Sequence, residues 1–396
     1  MGCAGESHHW TGTARVVVDL GHGPDSGGAA ATFRPDVTVL THSDSDHIGG
    51  ADDFFRGIRR HPGGELWLPY EWSVLIDVAE RISAGAVAVP QIPVDAGAVE
   101  VVIDLARVVG AEDDPAAQRG GPVRDGTDDG IRIDRDRIGD ALAGVFIPPV
   151  YLDEEQSGGG EGFLREALEK DDLDAIAADI ALKATKLAAI VTGARRAGMT
   201  VRWFSVDHLT LDGREKWQVS GRAPQVSLVN AVEVRVGRVS AGWETAVLLA
   251  AMRLSVQNRR ALATLLWPTD DAAGFLVWSD GDGTGCRLDA LPWDRLGGMT
   301  APHHGSDNDE HDPIWQAAAP HLAGLEVVLA GGAWNQGLHR AFTAHATSAR
   351  ACTSCGRCRA AQRRPGIRVH SAQHAAVTWP QLADVCAVAC ACAHHR

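Results

Sequence analysis

The chain has 396 residues, with 37 Lys+Arg against 51 Asp+Glu and a formal net charge of −14, a balance that disfavours coating nucleic acid by phosphate neutralisation but leaves room for a local basic patch. Hydrophobic residues make up 45% and charged residues 22%, which excludes a wholly disordered or collagen-like chain. At roughly 150 residues per domain the length allows one elaborated domain or two small ones. The most apolar helical stretch, 176–191, carries Asp179, Lys183 and Lys186, so no membrane span is expected. The opening Met1-Gly2-Cys3 lacks the basic and apolar regions of a secretory signal, and Glu6 stands where a myristoylation pattern wants Ser or Thr; the expected location is cytoplasmic. Six of the eight cysteines crowd into the last 45 residues, a poor disulfide framework that suits reduced thiols or metal ligands.

Taken in chain order, the β-branched run 15–18 ends in Asp19, and 36–40 repeats the design before Thr41 and His42. Both read as buried strands that deliver polar residues at their C-terminal ends. A helix is predicted over 51–60 and a short strand over 65–69. From about 110 to 160 the composition shifts to Asp, Gly and Arg, with Gly158-Gly159-Gly160 as a breaker, marking a loop or insertion. Leu173, Ile176, Ile180, Leu187 and Ile190 or Val191 then recur at helical spacing, which predicts one long amphipathic helix or two over 163–196. Strands are predicted at 200–206, 226–236, 261–267, 274–278, 326–330 and 366–369, and the segment beyond Trp379 reads as a helix or an appendage. No fixed-period repeat is visible, and two β-rich halves around a helical insertion suit a layered αββα arrangement.

The most informative stretch is His42-Ser43-Asp44-Ser45-Asp46-His47-Ile48-Gly49-Gly50. Four metal-ligating side chains in a tight loop after a buried strand can converge on a hard or borderline divalent cation. An Asx turn with Asp46 as N-cap would need one carboxylate and no histidine.

His42-x-Asp44-x-Asp46-His47 resembles the signature of the metallo-β-lactamase superfamily, in the variant carried by the nuclease-like domain of ComEC-type competence proteins. Asp19 resembles that family's first motif, the acidic residue supporting the metal loop. Residues 275–280 resemble its strand ending in a metal-bridging Asp, here Asp280, with Ser279 where the family commonly has Gly. Ala301-Pro302-His303-His304-Gly305-Ser306 is similar to the competence-type His-His-Gly-Ser, which supplies the last histidine ligand. Asn258 with 261–265, and 332–339 ending in His339, are weaker echoes. The third-motif histidine has no clear counterpart; His208 is the sole histidine between His61 and His303, in a run that otherwise reads as strand and turn.

The resemblance implies an α/β fold, a four-layer αββα metallo-β-lactamase-like sandwich over 1–379 with a helical insertion at about 110–199 and a Cys-rich tail over 380–396. It implies a metal-dependent hydrolase that uses a metal-bound hydroxide, with a phosphodiester in a small molecule or nucleic acid as substrate. Rival readings are hydrolysis of a carboxylic ester, thioester or lactone, and a non-catalytic module in which metal only stabilises the fold. Two divalent ions are expected, Zn²⁺ or Mn²⁺, with Mg²⁺ also compatible because the ligation is carboxylate-rich. One would be held by His42, Asp44 and Asp280, the other by Asp46, His47, Asp280 and His304, with His303 able to replace His304 and Asp46 as the catalytic carboxylate. Asp19, His208, His303 and His339 are accessory candidates. Cys352, Cys355 and Cys358, at Cys-x-x-Cys-x-x-Cys spacing, would permit a structural zinc or remain plain thiols. The arginines around them, from Arg350 to Arg368, fit a solvated loop or a phosphate-facing patch. No membrane partner is expected, and no protein partner is indicated.

Overall fold

The computed structural model describes residues 6–12, 14–83, 170–206, 226–235, 260–267, 273–283, 285–307, 309–330, 338–345 and 350–352. By its contacts the chain divides into two compact units. The first comprises Met1–Pro69, Ala194–Val234 and Asn258–Arg396, and the second comprises Tyr70–Gly193 and Arg235–Gln257.

The first unit holds two mixed sheets. Strands β1 (His8–Thr11), β2 (Arg15–Val18), β3 (Val37–Val39), β4 (Glu65–Pro69), β5 (Thr200–Ser205) and β7 (Val232–Val234) form one in that order. Within it β2 to β5 run parallel, and β1 and β7 pair antiparallel at the two edges. The other sheet has the order β12 (Arg350–Cys352), β11 (Glu326–Leu329), β10 (Leu296–Thr300), β9 (Gly274–Val277), β8 (Thr264–Leu266), β6 (Val226–Leu228). There β9 to β12 are parallel, and β8 pairs antiparallel with both β9 and β6.

Parallel neighbours need a crossover rather than a hairpin. Helix α1 (Pro24–Phe33) lies between β2 and β3, while α2 (Ser45–Ile48) and α3 (Ala51–Gly57) lie between β3 and β4. Val16, Val18, Val37 and Val39 share one buried apolar cluster with Phe275, Val277, Met299 and Val327 of the other sheet. The alternate residues Val17, Thr38, Leu66 and Leu68 are buried as well, so the first sheet is covered on both faces, as near-continuous valine runs require. Each fully buried Val or Leu contributes roughly 1.5–3 kcal/mol, so these strands hold their ends firmly.

The predicted single strand over 226–236 is two strands, β6 and β7, assigned to different sheets. Asn230 explains the break: its amide donates to the Ala261 carbonyl at 2.8 Å and accepts from Ala263 N–H at 2.9 Å, turning the chain where a ladder would otherwise continue. The predicted helix over 51–60 ends at Gly57, and the strand expected over 261–267 narrows to Thr264–Leu266. The expected strand at 366–369, the expected loop or insertion at about 110–160 and the tail lie outside the described residues.

In the second unit, α4 (Tyr70–Ser83) buries Trp72, Leu75, Ile76 and Ala79, and α5 (Lys170–Ala197) carries most of the remaining described residues. Ala184, Leu187, Ala188 and Val191 lie along one buried stripe of α5, the i, i+3, i+4, i+7 pattern expected there. Helices α6 (Asp312–Ala318) and α7 (Arg340–Ala344) belong to the first unit. Among the described residues no helix is long and apolar enough to cross a membrane.

Candidate metal centre

The candidate site draws on the C-terminal ends of parallel strands in both sheets, the usual place for function in open α/β sheets. Asp19 follows β2, Thr41 and His42 follow β3, Ser279 and Asp280 follow β9, and His303 and His304 follow β10. All of them belong to the first unit. Left-handed backbone concentrates here too. Asp19 (φ 60°), Ser279 (54°), His303 (47°) and His304 (53°) are four of the five described non-glycine residues with positive φ. Such conformations persist where surrounding interactions over-determine them, typically at functional sites.

Asp19, fully buried, organises the first half. One carboxylate oxygen accepts from Thr41 N–H at 2.8 Å; the other accepts the Thr41 hydroxyl at 2.7 Å and His47 Nδ1 at 2.8 Å. With its proton committed to Asp19, Thr41 Oγ1 can accept from the Ser279 hydroxyl at 2.8 Å and from His42 Nδ1 at 3.1 Å. His304 Nδ1 faces the Ala330 carbonyl at 2.9 Å. In each ring Nδ1 is thereby engaged and Nε2 left as the donor atom, the arrangement by which outer carboxylates and carbonyls orient histidine ligands.

The three Nε2 atoms converge on Asp280. Its Oδ1 lies 3.5 Å from His47 Nε2 and 3.4 Å from His304 Nε2. Its Oδ2 lies 3.4 Å from His42 Nε2 and 3.8 Å from His303 Nε2. Asp46 Oδ2 stands 3.2 Å from His304 Nε2 and 3.7 Å from His47 Nε2, and Asp44 Oδ2 stands 3.6 Å from His42 Nε2. Ligands at about 2.1 Å around a tetrahedral cation stand about 3.4 Å from one another, so these separations match donor atoms around shared ions. Two groups emerge, Glu6–His47–Asp280–His304 and His42–Asp44–Asp280, each with ligand atoms within 4.8 Å of one another. Asp280 belongs to both.

Electrostatics fit a cation. Burial pulls the His42 imidazole down, but Asp280 and Asp44 outweigh it and push it up to about 9. His304 likewise rises to about 9 against burial, through Asp280, Asp46 and Glu6. Burial also opposes charge on His47, yet Asp280, Asp46 and Asp19 hold it well above the usual range. Asp280, despite the burial that favours its neutral form, is held well below the carboxylate range by His304, His47, His42 and His303. The imidazoles thus carry protons that a metal would displace. His42 Nε2 is buried and faces the carboxylates of Asp44 and Asp280 without a well-formed hydrogen bond, a place that a metal ion would fill. The cluster could hold a metal ion.

Around this closed interior lies an open side. The side chains of Asp44 and Asp46 are each 18% exposed and that of His303 is 23% exposed, whereas those of Asp19, His47 and His304 are fully enclosed. His303 is pulled down by burial; Asp280 opposes this, but His304 and His311 reinforce it.

His42, Asp44, His47, Asp280 and His304 fall in the two groups, with Glu6 rather than the expected Asp46 completing the first, while Asp46, Asp19 and His303 lie beside them. His339 joins neither group: its Nδ1 accepts from Ala341 N–H at the start of α7, its Nε2 donates to Asp312 Oδ1 at 2.8 Å, and its ring stacks on Trp315. Cys352 ends β12, while His208, Cys355 and Cys358 lie outside the described residues, so the third-motif ligand and the structural zinc are not located. Two buried residues that sequence reasoning did not select also border the site. Glu6 precedes β1, and His311 places Nε2 3.2 Å from the Asp280 carbonyl. No periodic or spacing signal marks either, although Glu6-Ser7-His8-His9 does set an acid beside two histidines.

Compared with known proteins, the chain matches no family model, no curated protein and no solved structure.

Proposed function

We propose that this protein is a metal-dependent hydrolase of the metallo-β-lactamase type, built as a four-layer αββα sandwich and acting on a phosphodiester. The observation that carries the reading is Asp280, whose two carboxylate oxygens face two different sets of ligand atoms, His47 with His304 and His42 with His303. A single-ion structural site needs no such bridge. On this reading His42, Asp44 and Asp280 would hold one ion, and Asp46, His47, Asp280 and His304 would hold the other. A pair of bound divalent ions supplies water activation near neutral pH and neutralises charge developing on the attacking and leaving oxygens.

The chain's own residues do the rest. Asp19 holds His47 through Nδ1, and Thr41 holds His42, so both rings present Nε2 without reorganisation. Asp46, on the open side with Oδ2 3.2 Å from His304 Nε2 and, against the upward pull of burial, held below the ordinary carboxylate range by His47 and His304, would accept a hydrogen bond from an attacking water and orient it. His303, partly exposed beside Asp280, offers a neutral imidazole to an entering substrate. Three imidazoles and three carboxylates suit Zn²⁺ or Mn²⁺, with Mg²⁺ also compatible. The phosphodiester preference is supported by the resemblance of the metal loop and His303-His304-Gly305-Ser306 to competence-type proteins.

Metal analysis of the purified protein should find two equivalents. With Mn²⁺ or Zn²⁺ added, bis-p-nitrophenyl phosphate should be turned over faster than a nitrophenyl ester. Preferential ester turnover would reassign the substrate, and metal binding without turnover of any such probe would leave a non-catalytic module.

A further inference from the structure

The N-terminal segment lies directly against the candidate centre. Glu6 N–H donates to the Asp46 carbonyl at 2.9 Å, and the Ser7 hydroxyl donates to the Asp19 carbonyl at 2.9 Å. The next residues form β1, whose antiparallel pairing with β2 sets His8 opposite Val18. Segment and metal loop are thus registered by backbone as well as side chains. Glu6 is only 2% exposed. Its Oε1 contacts His8 Nε2, while Oε2 lies 3.3 Å from His304 Nδ1 and has no hydrogen bond. A buried carboxylate oxygen with no hydrogen bond is unfavourable unless a polar group faces it, and here the Nδ1 edge of the His304 ring faces it at 3.3 Å.

We infer that Glu6 is a positioning residue for His304, acting by its charge beside Nδ1 while the Ala330 carbonyl takes the hydrogen bond that Asp19 takes from His47. The inference rests on the two-ion reading above. His304 turns Nε2 toward Asp46 and Asp280 and Nδ1 toward Ala330 O and Glu6 Oε2. Glu6 thus meets His304 at Nδ1, the ring nitrogen turned away from Asp46, where a carboxylate raises the basicity of Nε2 and fixes its aim. Its carboxylate also lies within 4.8 Å of ligand atoms of His47 and Asp280, so positioning and direct ligation are told apart by metal affinity. The backbone bond from Glu6 to Asp46 steadies a second ligand of the same ion. An ion held by Asp46, His47 and His304 would thus depend on the segment leading into β1, and one at His42 and Asp44 would not.

Zn²⁺ affinity measured by chelator competition in two backgrounds separates these roles. In His42→Ala one equivalent should remain, at the His304 half, and adding Glu6→Gln should weaken it on the order of 10- to 100-fold. In His304→Ala the remaining equivalent should be unmoved by Glu6→Gln. Glu6→Ala, which removes the acceptor as well as the charge, should weaken the His304 half further. In the otherwise unaltered chain Glu6→Gln should also shift the His304 ring nitrogen resonances. Equal weakening in both backgrounds would reduce Glu6 to a general structural residue and overturn the inference; no weakening in either, or complete loss of the equivalent in His42→Ala, as for a direct ligand, would overturn it too. If instead neither background variant loses metal, the two-ion reading itself fails, a result distinct from any outcome of the Glu6 substitutions.

Discussion

The two sheets contribute to the candidate centre in contrasting ways. The first supplies His42, Asp44, Asp46 and His47 from one continuous loop, braced from behind by Asp19 through Thr41 and His47. The second supplies Asp280 and the His303–His304 pair from separate strand ends, in left-handed backbone. A contiguous loop can preorganise its ligands with local hydrogen bonds. Residues from separate strands are held by the register of β9 against β10 and by the hydrogen bond from His303 N–H to the Ser279 carbonyl at 2.8 Å. The first half should therefore tolerate loss of one ligand better than the second tolerates loss of Asp280.

The largest effect should come from Asp280→Asn. The amide keeps the size but loses the charge that lets both oxygens serve cations, so both ions should be lost together and turnover should fall on the order of 10⁴ or more. Metal analysis beside activity would decide it, and retention of two equivalents would remove Asp280 from the centre. Next, Asp46→Ala should lower turnover on the order of 10² to 10⁴ with at most one ion lost, because His47 keeps its brace on Asp19. Wild-type activity in that variant would sink the role given to Asp46. His304→Ala should release one equivalent, whereas His303→Ala should keep both and act on KM, as its partly exposed ring implies.

How much of this was legible in the sequence follows the same contrast. The metal loop could be read directly because its ligands fall within residues 42–47 after a valine-rich strand. Asp280 and His304 could be read as strand endings, but only the fold brings them within 3.4 Å of each other. Glu6 could not be read, since its place depends on the pairing of β1 with β2. Helix α1 was also hidden. Gly27 and Gly28 weaken its helical pattern, yet a Cβ on Gly27 would come 1.9 Å from the Gly50 carbonyl oxygen, so that glycine is required by close packing that no propensity records. The break at Asn230 is tertiary in the same way, because its partners Ala261 and Ala263 lie some thirty residues on.

Proton uptake sharpens the comparison. In the metal-free protein His42 and His304 are each pushed up to about 9 from an ordinary 6.5. A folded-state value above the unfolded one means that their protonation stabilises the fold fully below pH 6.5, and that this contribution is lost as pH rises through about 9. Metal-free protein should thus lose melting temperature across that window, while metal-loaded protein, whose imidazoles are already deprotonated, should change little. Titrating Zn²⁺ into weakly buffered metal-free protein at pH 7 should release protons, and His42→Ala should release fewer. A flat melting profile for the metal-free form would contradict the charge balance described for the centre.

The smallest effect tests how the second half tolerates its backbone. Ser279 has φ 54°, a conformation that costs an L-residue about 1 kcal/mol and glycine almost nothing. Its hydroxyl offsets this by bonding Thr41 Oγ1 at 2.8 Å, and that oxygen in turn holds Asp19 and His42. Ser279→Ala keeps the strain and deletes the bond, which should destabilise the metal-free protein by about 1–2 kcal/mol. Ser279→Gly deletes the same bond but relieves the strain, partly offset by a more flexible unfolded chain, and should cost less than the alanine variant. Denaturant unfolding of the two variants side by side measures the difference. If glycine proved the more destabilising, the left-handed turn after β9 would carry no strain worth relieving, and the hydroxyl network alone would hold Asp280 opposite the metal loop.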